Sequence, residues 1–483
     1  MSKSFIHSET AINMTLVGFG QAGGRMVDEF ASIRRVDGTP VYNCLALNAN
    51  TGDLEGLKHI PNSNWESLNL GGLGKNPERA LEILEDNEEA KVKLKKFIQE
   101  RIRPEDELIL FFAGLGGGTG TSTIVKAIEE FYEFNNKPKI KEELLKIQKE
   151  TTAQDFKTNL KKYMKEAVKR AERKFVKIGV VTTLPLRADG PDVLRQVNNF
   201  ATKIWELSQD KTKGIAFPLF IDNQYIYDQF KAISDKDKIH VDNYRDYANK
   251  LVCETIHELN TAATVGGTEI TLDSQDFRRT LLEHRGCLVI NRLSQPMKNV
   301  KNGNDVKDLF LKAIPDSSFH EAIELTTIED GQKKALKVHH VGLLAVLDQM
   351  VISKGTSNIG SSFVDDARVE ISESLPLAGT VFPGYIEAKN DFNATVYTFY
   401  KTEGLPKRLA KGLVKEFEEF QEQQKQIVYA KTSIQQIDQQ EDDDDFDIDL
   451  SEFGIEIDEE PKQEQEKSEE YDVNIDDLDF SKI

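Results

Sequence analysis

One segment of the sequence has a composition suited to binding an anion. In Ala113-Gly114-Leu115-Gly116-Gly117-Gly118-Thr119-Gly120-Thr121-Ser122, half of the residues are glycine. The segment follows an apolar run over 108–112, typical of a buried strand, and precedes an apolar stretch over 124–128 that predicts a helix. Glycines allow backbone N–H groups to surround phosphate oxygens, and a helix N-terminus adds favourable partial charge. No lysine follows at the Walker-A spacing, so the segment predicts a phosphate cradle built from backbone amides.

A second glycine-rich segment, Gly18-Phe19-Gly20-Gln21-Ala22-Gly23-Gly24, follows a predicted strand over 12–20 and fits the pattern Gly-x-Gly-x-x-Gly. In a dinucleotide-binding fold, an acidic residue would end the next strand and hold a ribose hydroxyl. Here the next predicted strand, over 41–47, is followed by Asn48. This difference argues against a dehydrogenase.

The elements that must position these loops alternate between strands and helices. Further strands are predicted over 107–112, 177–183 and 214–221, so we expect an α/β fold with a parallel sheet and a ligand at the carboxyl ends of its strands. An apolar face then predicts a long helix, and β-rich segments at 287–293, 340–348 and 393–400 predict a second α/β domain. The predicted organisation is a nucleotide-binding domain over 1–244, a core helix over 245–262, a second domain over 263–402, a C-terminal helix over 403–429 and a tail over 430–483.

Charge is distributed unevenly along the chain. The net charge is −20, and residues 431–483 hold 21 Asp and Glu against 4 Lys, a net of −17. Such a polar tail cannot bury a core, so we expect it to be disordered. Residues 136–174 contain 13 basic and 6 acidic residues in a helical pattern. This insertion is either a solvated helical protrusion or a docking surface for an acidic partner.

The cysteines and the apolar runs bear on cellular location. Cys44, Cys253 and Cys287 are far apart and show no disulfide pattern, which fits a reducing compartment. The first residues contain no apolar signal core, and no run of about 18 apolar residues occurs. We therefore expect a soluble cytoplasmic protein that has no membrane partner.

Taken together, the loops resemble the nucleotide-binding loops of the tubulin/FtsZ superfamily of polymerising GTPases, over about residues 12–400. The segment 116–121 matches the signature of that superfamily. The resemblance implies a tubulin/FtsZ-like fold and the cofactors GTP/GDP and Mg²⁺. The GTP-binding residues that it implies are Gly20, Gln21, Ala22, Gly23, Asn48, Gly72, Gly74, Lys75, Asn76, Gly116, Gly117, Gly118, Thr119, Gly120, Thr121, Asp189, Asn223 and Asn249.

The resemblance also assigns roles to some of these residues. Mg²⁺ would be held through phosphates and water near Gln21, and the loop 72–77 would lie near the γ-phosphate. Asp189 would contact the ribose, although Leu186 and Ala188 replace aromatic residues of the bacterial division protein. Asn223 would recognise guanine. Asn249 would complete that recognition, with Asp246 or Tyr247 as alternatives if the helix register differs, or it would simply be a polar residue on the helix surface.

The segment Thr271-Leu272-Asp273-Ser274-Gln275-Asp276 resembles the acidic loop of the superfamily, with Thr271 in place of an Asn. In the superfamily this loop reaches the nucleotide of the next subunit. The resemblance implies that Asp273 and Asp276 are catalytic, and that the site is completed between adjacent subunits. The alternative is that Asp276 caps the following helix, or does both.

Within the superfamily the chain most resembles the plasmid- and phage-borne TubZ group. It has a long C-terminal helix, and it lacks the tail motif by which division proteins hold membrane adaptors. The resemblance implies a head-to-tail cytomotive filament that segregates plasmid or phage DNA. A DNA-binding adaptor would bind the acidic-apolar patches at 445–453 and 473–480, since an acidic tail does not itself bind DNA. The alternative function is an FtsZ-like structural or cell-division filament.

Overall fold

The computed structural model describes residues 9–233, 241, 243–265, 269–329, 332–353, 359–413, 415, 416, 418 and 422. The predicted acidic tail lies outside these residues, and the predicted C-terminal helix lies within them only in part. The strands are β1 (Met14–Phe19), β2 (Asn43–Asn48), β3 (Trp65–Ser67), β4 (Leu108–Gly114), β5 (Lys177–Leu184), β6 (Ile215–Asp222), β7 (Cys287–Pro296), β8 (Thr326–Glu329), β9 (Gln332–Ala335), β10 (Val338–Asp348), β11 (Val381–Ala388) and β12 (Asn393–Thr402).

The helices connect and cover these strands. They are α1 (Gly20–Ala31), α2 (Gly52–Glu55), α3 (Pro77–Asp86), α4 (Glu88–Arg101), α5 (Gly118–Phe131), α6 (Lys137–Glu150), α7 (Ala153–Thr158), α8 (Leu160–Ala171), α9 (Pro191–Gln209), α10 (Asn223–Ala232), α11 (Tyr244–Ala262), α12 (Ser274–Leu282), α13 (Gly303–Ala313), α14 (Gln349–Ser353) and α15 (Ser362–Ser374). Within the described part of the chain, no helix combines the length and the apolar character that a membrane span requires.

The first six strands form one parallel sheet in the order β3-β2-β1-β4-β5-β6. The first six residues of β4, Leu108 to Ala113, are buried because helices cover both faces of the sheet. Phe19 at the end of β1 pairs with Ala113 of β4, so the glycine-rich loops that follow both strands leave the sheet at the same level. The predicted α/β fold with a parallel sheet is confirmed.

The long helix α11 is attached to the start of β1 by buried polar contacts. The side-chain amide of Asn260 accepts a hydrogen bond from the N–H of Ile12 at 2.8 Å and donates to the carbonyl oxygen of Ile12 at 3.0 Å. The hydroxyl of Tyr42 lies 3.0 Å from Nδ1 of His257. Because buried polar groups must be paired, these contacts fix where α11 lies against the sheet.

A second sheet has the strand order β11-β10-β12-β7, in which only β10 and β11 run parallel. Lys401 of β12 is completely buried, and its ammonium group reaches the end of α12. It donates to the carbonyl oxygens of Leu281 at 2.8 Å and His284 at 2.7 Å, and also to that of Glu283. The last carbonyl groups of a helix lack partners within the helix, so Lys401 supplies the donors that they need.

The insertion over 136–174 is helical and has a small core of its own. A π-helical turn at Tyr132–Asn136 leads from α5 into α6, and α8 packs against α6. Ile140, Leu144, Phe156 and Met164 belong to one buried cluster. Its apolar positions are few, but the helices turn them toward each other. The domain limits assigned from the sequence remain predictions.

We expect Lys401→Met to destabilise the protein. The change leaves the carbonyl groups at the end of α12 without a donor, and each unpaired buried polar group costs about 1–3 kcal/mol. The free energy of unfolding should fall by about 2–5 kcal/mol, seen as a lower midpoint in urea followed by circular dichroism. Lys407→Met is the control, because Lys407 is 57% exposed and lies 3.9 Å from Glu321. If both variants unfold at the same urea concentration, the role assigned to Lys401 is wrong.

Candidate functional site

A cavity of about 390 Å³ lies at the carboxyl ends of the parallel strands. The loops after β1, β2, β4, β5 and β6 reach it, together with the segment 72–75 and the start of α11. Most of the residues predicted to bind GTP line this cavity, namely Gly20, Gln21, Ala22, Asn48, Gly72, Gly74, Lys75, Gly116, Gly117, Gly118, Thr119, Gly120, Asp189 and Asn223.

Two helices begin at the cavity wall. Helix α1 starts at Gly20 and α5 starts at Gly118, and both residues line the cavity. The first turns of both helices, which are fully described, contain no acidic residue. The partial positive charges of both helix starts are therefore directed at the cavity, with those first N–H groups that have no partner within the helix. The arrangement suits a phosphate chain.

The loops touch each other through glycine backbones. Gly20 has φ +67°, and a Cβ atom placed on it would lie 2.7 Å from the nitrogen of Gly120. The N–H of Gly118 donates to the carbonyl oxygen of Gly74 at 3.0 Å, and a Cβ at Gly118 would lie 2.7 Å from that oxygen. Only glycine permits this approach without displacing backbone. The loops that contain Gly20, Gly74 and Gly118 thus form one continuous surface.

Three of the predicted residues support these loops without lining the cavity. Gly23 lies against β4, where a Cβ would be 2.1 Å from the carbonyl oxygen of Phe112. The hydroxyl of Thr121 donates to the carbonyl oxygen of Gly117 at 2.7 Å. Asn76 caps α3 by accepting the N–H of Arg79 at 3.0 Å. These contacts hold the loops in shape.

Asp53, which the sequence analysis did not single out, lines the cavity beside Gln21. Its carboxylate accepts hydrogen bonds from Asn48 at 3.2 Å, Gln21 at 3.5 Å and Asn50 at 3.5 Å. Carboxylate and amide oxygens are the ligands that Mg²⁺ prefers. The available signal was an acidic residue three positions after the Asn48-Ala49-Asn50 loop.

Asp189 and Lys75 face each other across the cavity. Nζ of Lys75 lies 3.7 Å from Oδ1 of Asp189, and Oδ2 of Asp189 accepts the N–H of Leu186 at 2.9 Å. One carboxylate oxygen is thus bound by the backbone while the other faces an exposed, mobile cation. A hydroxyl group of a ligand can replace that cation at Oδ1.

Asn223, which also lines the cavity, is the first residue of α10. The predicted guanine contact Asn249 is not among the described residues that line the cavity, and Tyr244 and Arg245 in the first turn of α11 line it instead. Asn249 is five positions after Tyr244, about 7.5 Å farther along the helix axis, which is why it does not reach. The guanidinium of Arg245 lies 4.8 Å from the ring centre of Tyr244, and such flat surfaces suit a planar base.

The two predicted catalytic carboxylates lie outside this cavity. Asp273, not Asp276, is the N-cap of α12, and it accepts the N–H of Asp276 at 2.8 Å. This corrects the alternative in which Asp276 caps the helix. Burial and the neighbouring charge of Asp273 raise the pKa of Asp276. Neither carboxylate is among the described residues that line the cavity.

Among the described residues, one cluster of metal-ligand residue types lies outside the cavity, formed by Glu283, His284 and His340. Nδ1 of His340 accepts the N–H of Thr380 at 3.0 Å, so the ring proton is on Nε2, which lies 3.2 Å from a carboxylate oxygen of Glu283. A metal would need that nitrogen deprotonated. The contacts are those of a hydrogen-bonded histidine.

Comparison with known proteins identifies similar chains. No protein-family model matches. The tubulin-like protein TubZ of Bacillus cereus is 21% identical over 449 residues, which cover 90% of this chain and 89% of that protein. The tubulin-like protein CetZ of Pyrococcus abyssi is 34% identical over 125 residues, 24% of this chain and 32% of that protein.

A solved structure shares the fold over nearly the whole chain. It is a GTPγS-form protofilament of TubZ from Bacillus thuringiensis serovar israelensis, with a TM-score of 0.63 and 19% identity over 88% of this chain and 96% of the other. The fold is therefore of the tubulin/FtsZ type, as predicted.

We expect Gly20→Ala to weaken nucleotide binding. The new methyl group would be forced against Gly120, and its backbone would stay at φ +67°, so the two loops must separate. The affinity for a fluorescent nucleoside triphosphate should fall at least tenfold, which corresponds to about 1.4 kcal/mol.

The matched control for this experiment is Gly24→Ala in the same helix, where a Cβ would meet only the methyl groups of Leu57 at 3.7 and 3.9 Å. That variant should bind as the unmodified protein does. Equal affinities for the two variants would show that the contact between Gly20 and Gly120 does not shape the site.

Proposed function

We propose that this chain, which belongs to the tubulin/FtsZ superfamily and is close to its TubZ group, is a GTPase that assembles head to tail into filaments. The observation that carries the proposal is the meeting of five sequence-distant loops and the N-termini of α1 and α5 in one cavity. The similarity to TubZ over nearly the whole length of both chains supports it.

The cavity has a place for each part of GTP. The phosphates would lie at the starts of α1 and α5, where the helix N-termini provide backbone N–H donors and partial positive charge. A ribose hydroxyl would replace the ammonium group of Lys75 at the carboxylate of Asp189. Guanine would lie at Asn223, beside Tyr244 and Arg245. Mg²⁺, which neutralises phosphate charge during phosphoryl transfer, would be held near Gln21 and Asp53.

Hydrolysis would require a second subunit. Phosphoryl transfer depends on a positioned water and on electrostatic control. Asp273 and Asp276 could provide both, but they lie outside the cavity of their own chain. A head-to-tail contact would bring them to the nucleotide of the neighbour. Assembly and hydrolysis would then be coupled, because the free monomer holds only half of the catalytic site.

The filament would act in the cytoplasm on plasmid or phage DNA through a DNA-binding adaptor. The similarity to TubZ supports this, as do three buried free cysteines, which suit a reducing compartment. The acidic tail, which lies outside the described residues, would hold the adaptor, and the chain itself would not contact DNA. The second candidate is a structural or cell-division filament, since the chain also resembles a tubulin-like protein outside the TubZ group, CetZ, over 125 residues.

The first test is assembly and phosphate release by Asp276→Ala. The unmodified protein should sediment with GTP but not with ATP, and it should release phosphate faster per chain at higher protein concentration. The variant should bind GTP and assemble. Its rate of phosphate release should fall about 100-fold or more, which is the typical loss in rate when a group that positions the attacking water is removed. Asp273→Ser keeps a capping oxygen while it removes the carboxylate, so it separates catalysis from helix stability.

Mixing two variants distinguishes a shared site from a site within one chain. Asp276→Ala has an intact cavity, and Gly20→Ala has an intact acidic loop. If the loop of one chain serves the cavity of another, the mixture should release phosphate faster than either variant alone. Hydrolysis by Asp276→Ala at the unmodified rate would remove Asp276 from the mechanism, and no gain on mixing would argue against sharing.

The second test removes the tail after Ala430. The truncation removes a net charge of −17, so like-charge repulsion between neighbouring chains decreases and GTP-dependent assembly should persist or strengthen at low salt. Capture of the proposed DNA-binding adaptor, measured by co-sedimentation with its DNA, should be lost. Retained capture would move the docking site to the basic insertion, and a membrane-anchored partner for the tail would favour the structural filament.

A further inference from the structure

The last described helical segment of the chain is joined to the cavity by one buried arginine. Arg408 begins the π-helical turn at Arg408–Gly412, and only 4% of its side chain is exposed. Its Nη1 group donates to Oδ1 of Asp222 at 2.7 Å and to the carbonyl oxygen of Pro185 at 2.6 Å. The remaining side of the guanidinium binds both carboxylate oxygens of Glu416 at 2.9 to 3.1 Å.

The two cavity-side partners of Arg408 belong to different loops of the proposed nucleotide site. Pro185 lines the cavity in the loop that continues to Asp189. Asp222 directly precedes Asn223 and caps α10 by accepting the N–H of Gln224 at 2.9 Å. A single guanidinium therefore fixes the spacing between the ribose loop and the base-contacting residue.

An outer set of contacts extends this connection to the surface. Glu416 also accepts a hydrogen bond from Nε of Arg187 at 2.7 Å, and the backbone N–H of Arg187 donates to the side chain of Gln224 at 3.1 Å. Burial acts to raise the pKa of Glu416, but the hydrogen bonds from Arg408 and Arg187 outweigh it and lower the pKa. The group of two arginines and two carboxylates is thus charge-balanced around a buried centre.

Asp222 depends on Arg408 for its charge. Burial raises the pKa of Asp222, and the adjacent guanidinium opposes that effect. A buried carboxylate that loses its only cation either takes up a proton or moves toward water. Either change alters the residue next to Asn223. The geometry of the part of the cavity proposed to bind the base therefore depends on Arg408, which is 186 positions from Asp222 in the sequence.

We propose that Arg408 is a positioning residue for the base-binding end of the nucleotide site, and that it couples nucleotide occupancy to docking of the C-terminal segment around Arg408 and Glu416. The inference rests on the proposed GTP site. A nucleotide that fixes Asn223 and the loop at Pro185 also fixes the two acceptors that Arg408 requires. By linkage, docking of the segment then favours nucleotide binding to the same extent.

The experiment compares the affinities for GTP and ITP, which differ by the 2-amino group of the base. Arg408→Met is made alone and with Asp222→Asn, because the double variant keeps a capping oxygen and leaves no buried unpaired charge. In the double variant the affinity for GTP should fall about tenfold, and the ratio of the GTP and ITP affinities should approach one. Loss of general stability would weaken the binding of both nucleotides equally. Lys407→Met, which changes the adjacent exposed residue, should leave the ratio unchanged.

Hydrogen exchange of residues 405–418 provides the reciprocal measurement. GTP should slow exchange of this segment in the unmodified protein and in Lys407→Met, but not in the double variant. An unchanged affinity ratio, or equal protection of the segment in the double variant, overturns the inference and leaves the proposed function standing. An unmodified protein that binds no GTP overturns both.

Discussion

Contact between glycine backbones is the constraint on which the nucleotide-binding half of the molecule depends. Gly20 can approach Gly120, and Gly118 can approach Gly74, because none of them carries a side chain. For α1 and α5 to begin at touching residues, β1 and β4 must be adjacent and end together, as the pairing of Phe19 with Ala113 provides. The central position of β1 and β4 in the sheet follows from that requirement. The cavity is the space left in front of the two helix starts.

Local patterns carried most of the information on this half of the fold. The apolar runs predicted β1, β2, β4, β5 and β6 within a few residues, because a strand of a buried parallel sheet is apolar on both faces. The glycine motifs predicted their loops well, since a positive φ or a close approach requires a particular residue type at one position. By contrast, β11 was not predicted. It contains Pro383 and Gly384 and lies at the edge of its sheet, where these residues are tolerated.

Local sequence patterns could not identify residues whose role depends on helix register or on contacts with distant parts of the chain. The helical pattern predicted α11 but not which of its turns reaches the cavity, so Asn249 was chosen where Tyr244 and Arg245 lie. Arg408 was missed because its partners are 186 and 223 positions away, and an arginine near a helix start has no local signature of burial. The core of the insertion was missed because isolated apolar residues in a lysine-rich segment resemble a solvated surface.

The insertion and the cavity lie at opposite ends of the strands of the parallel sheet. Asn136, at the end of the π-helical turn, donates from its side chain to the carbonyl oxygen of Thr212 at 3.0 Å, just before β6 begins, whereas the cavity lies beyond the end of β6. A groove of about 990 Å³ runs between α8 and this corner, and Lys161, Lys165 and Lys169 line it. Because α8 buries one face in the small core, these lysines occupy the other face, which is the face that both the solvated and the docking interpretation describe. Within a single chain, the insertion therefore places this lysine-lined groove at the strand ends opposite to the nucleotide cavity.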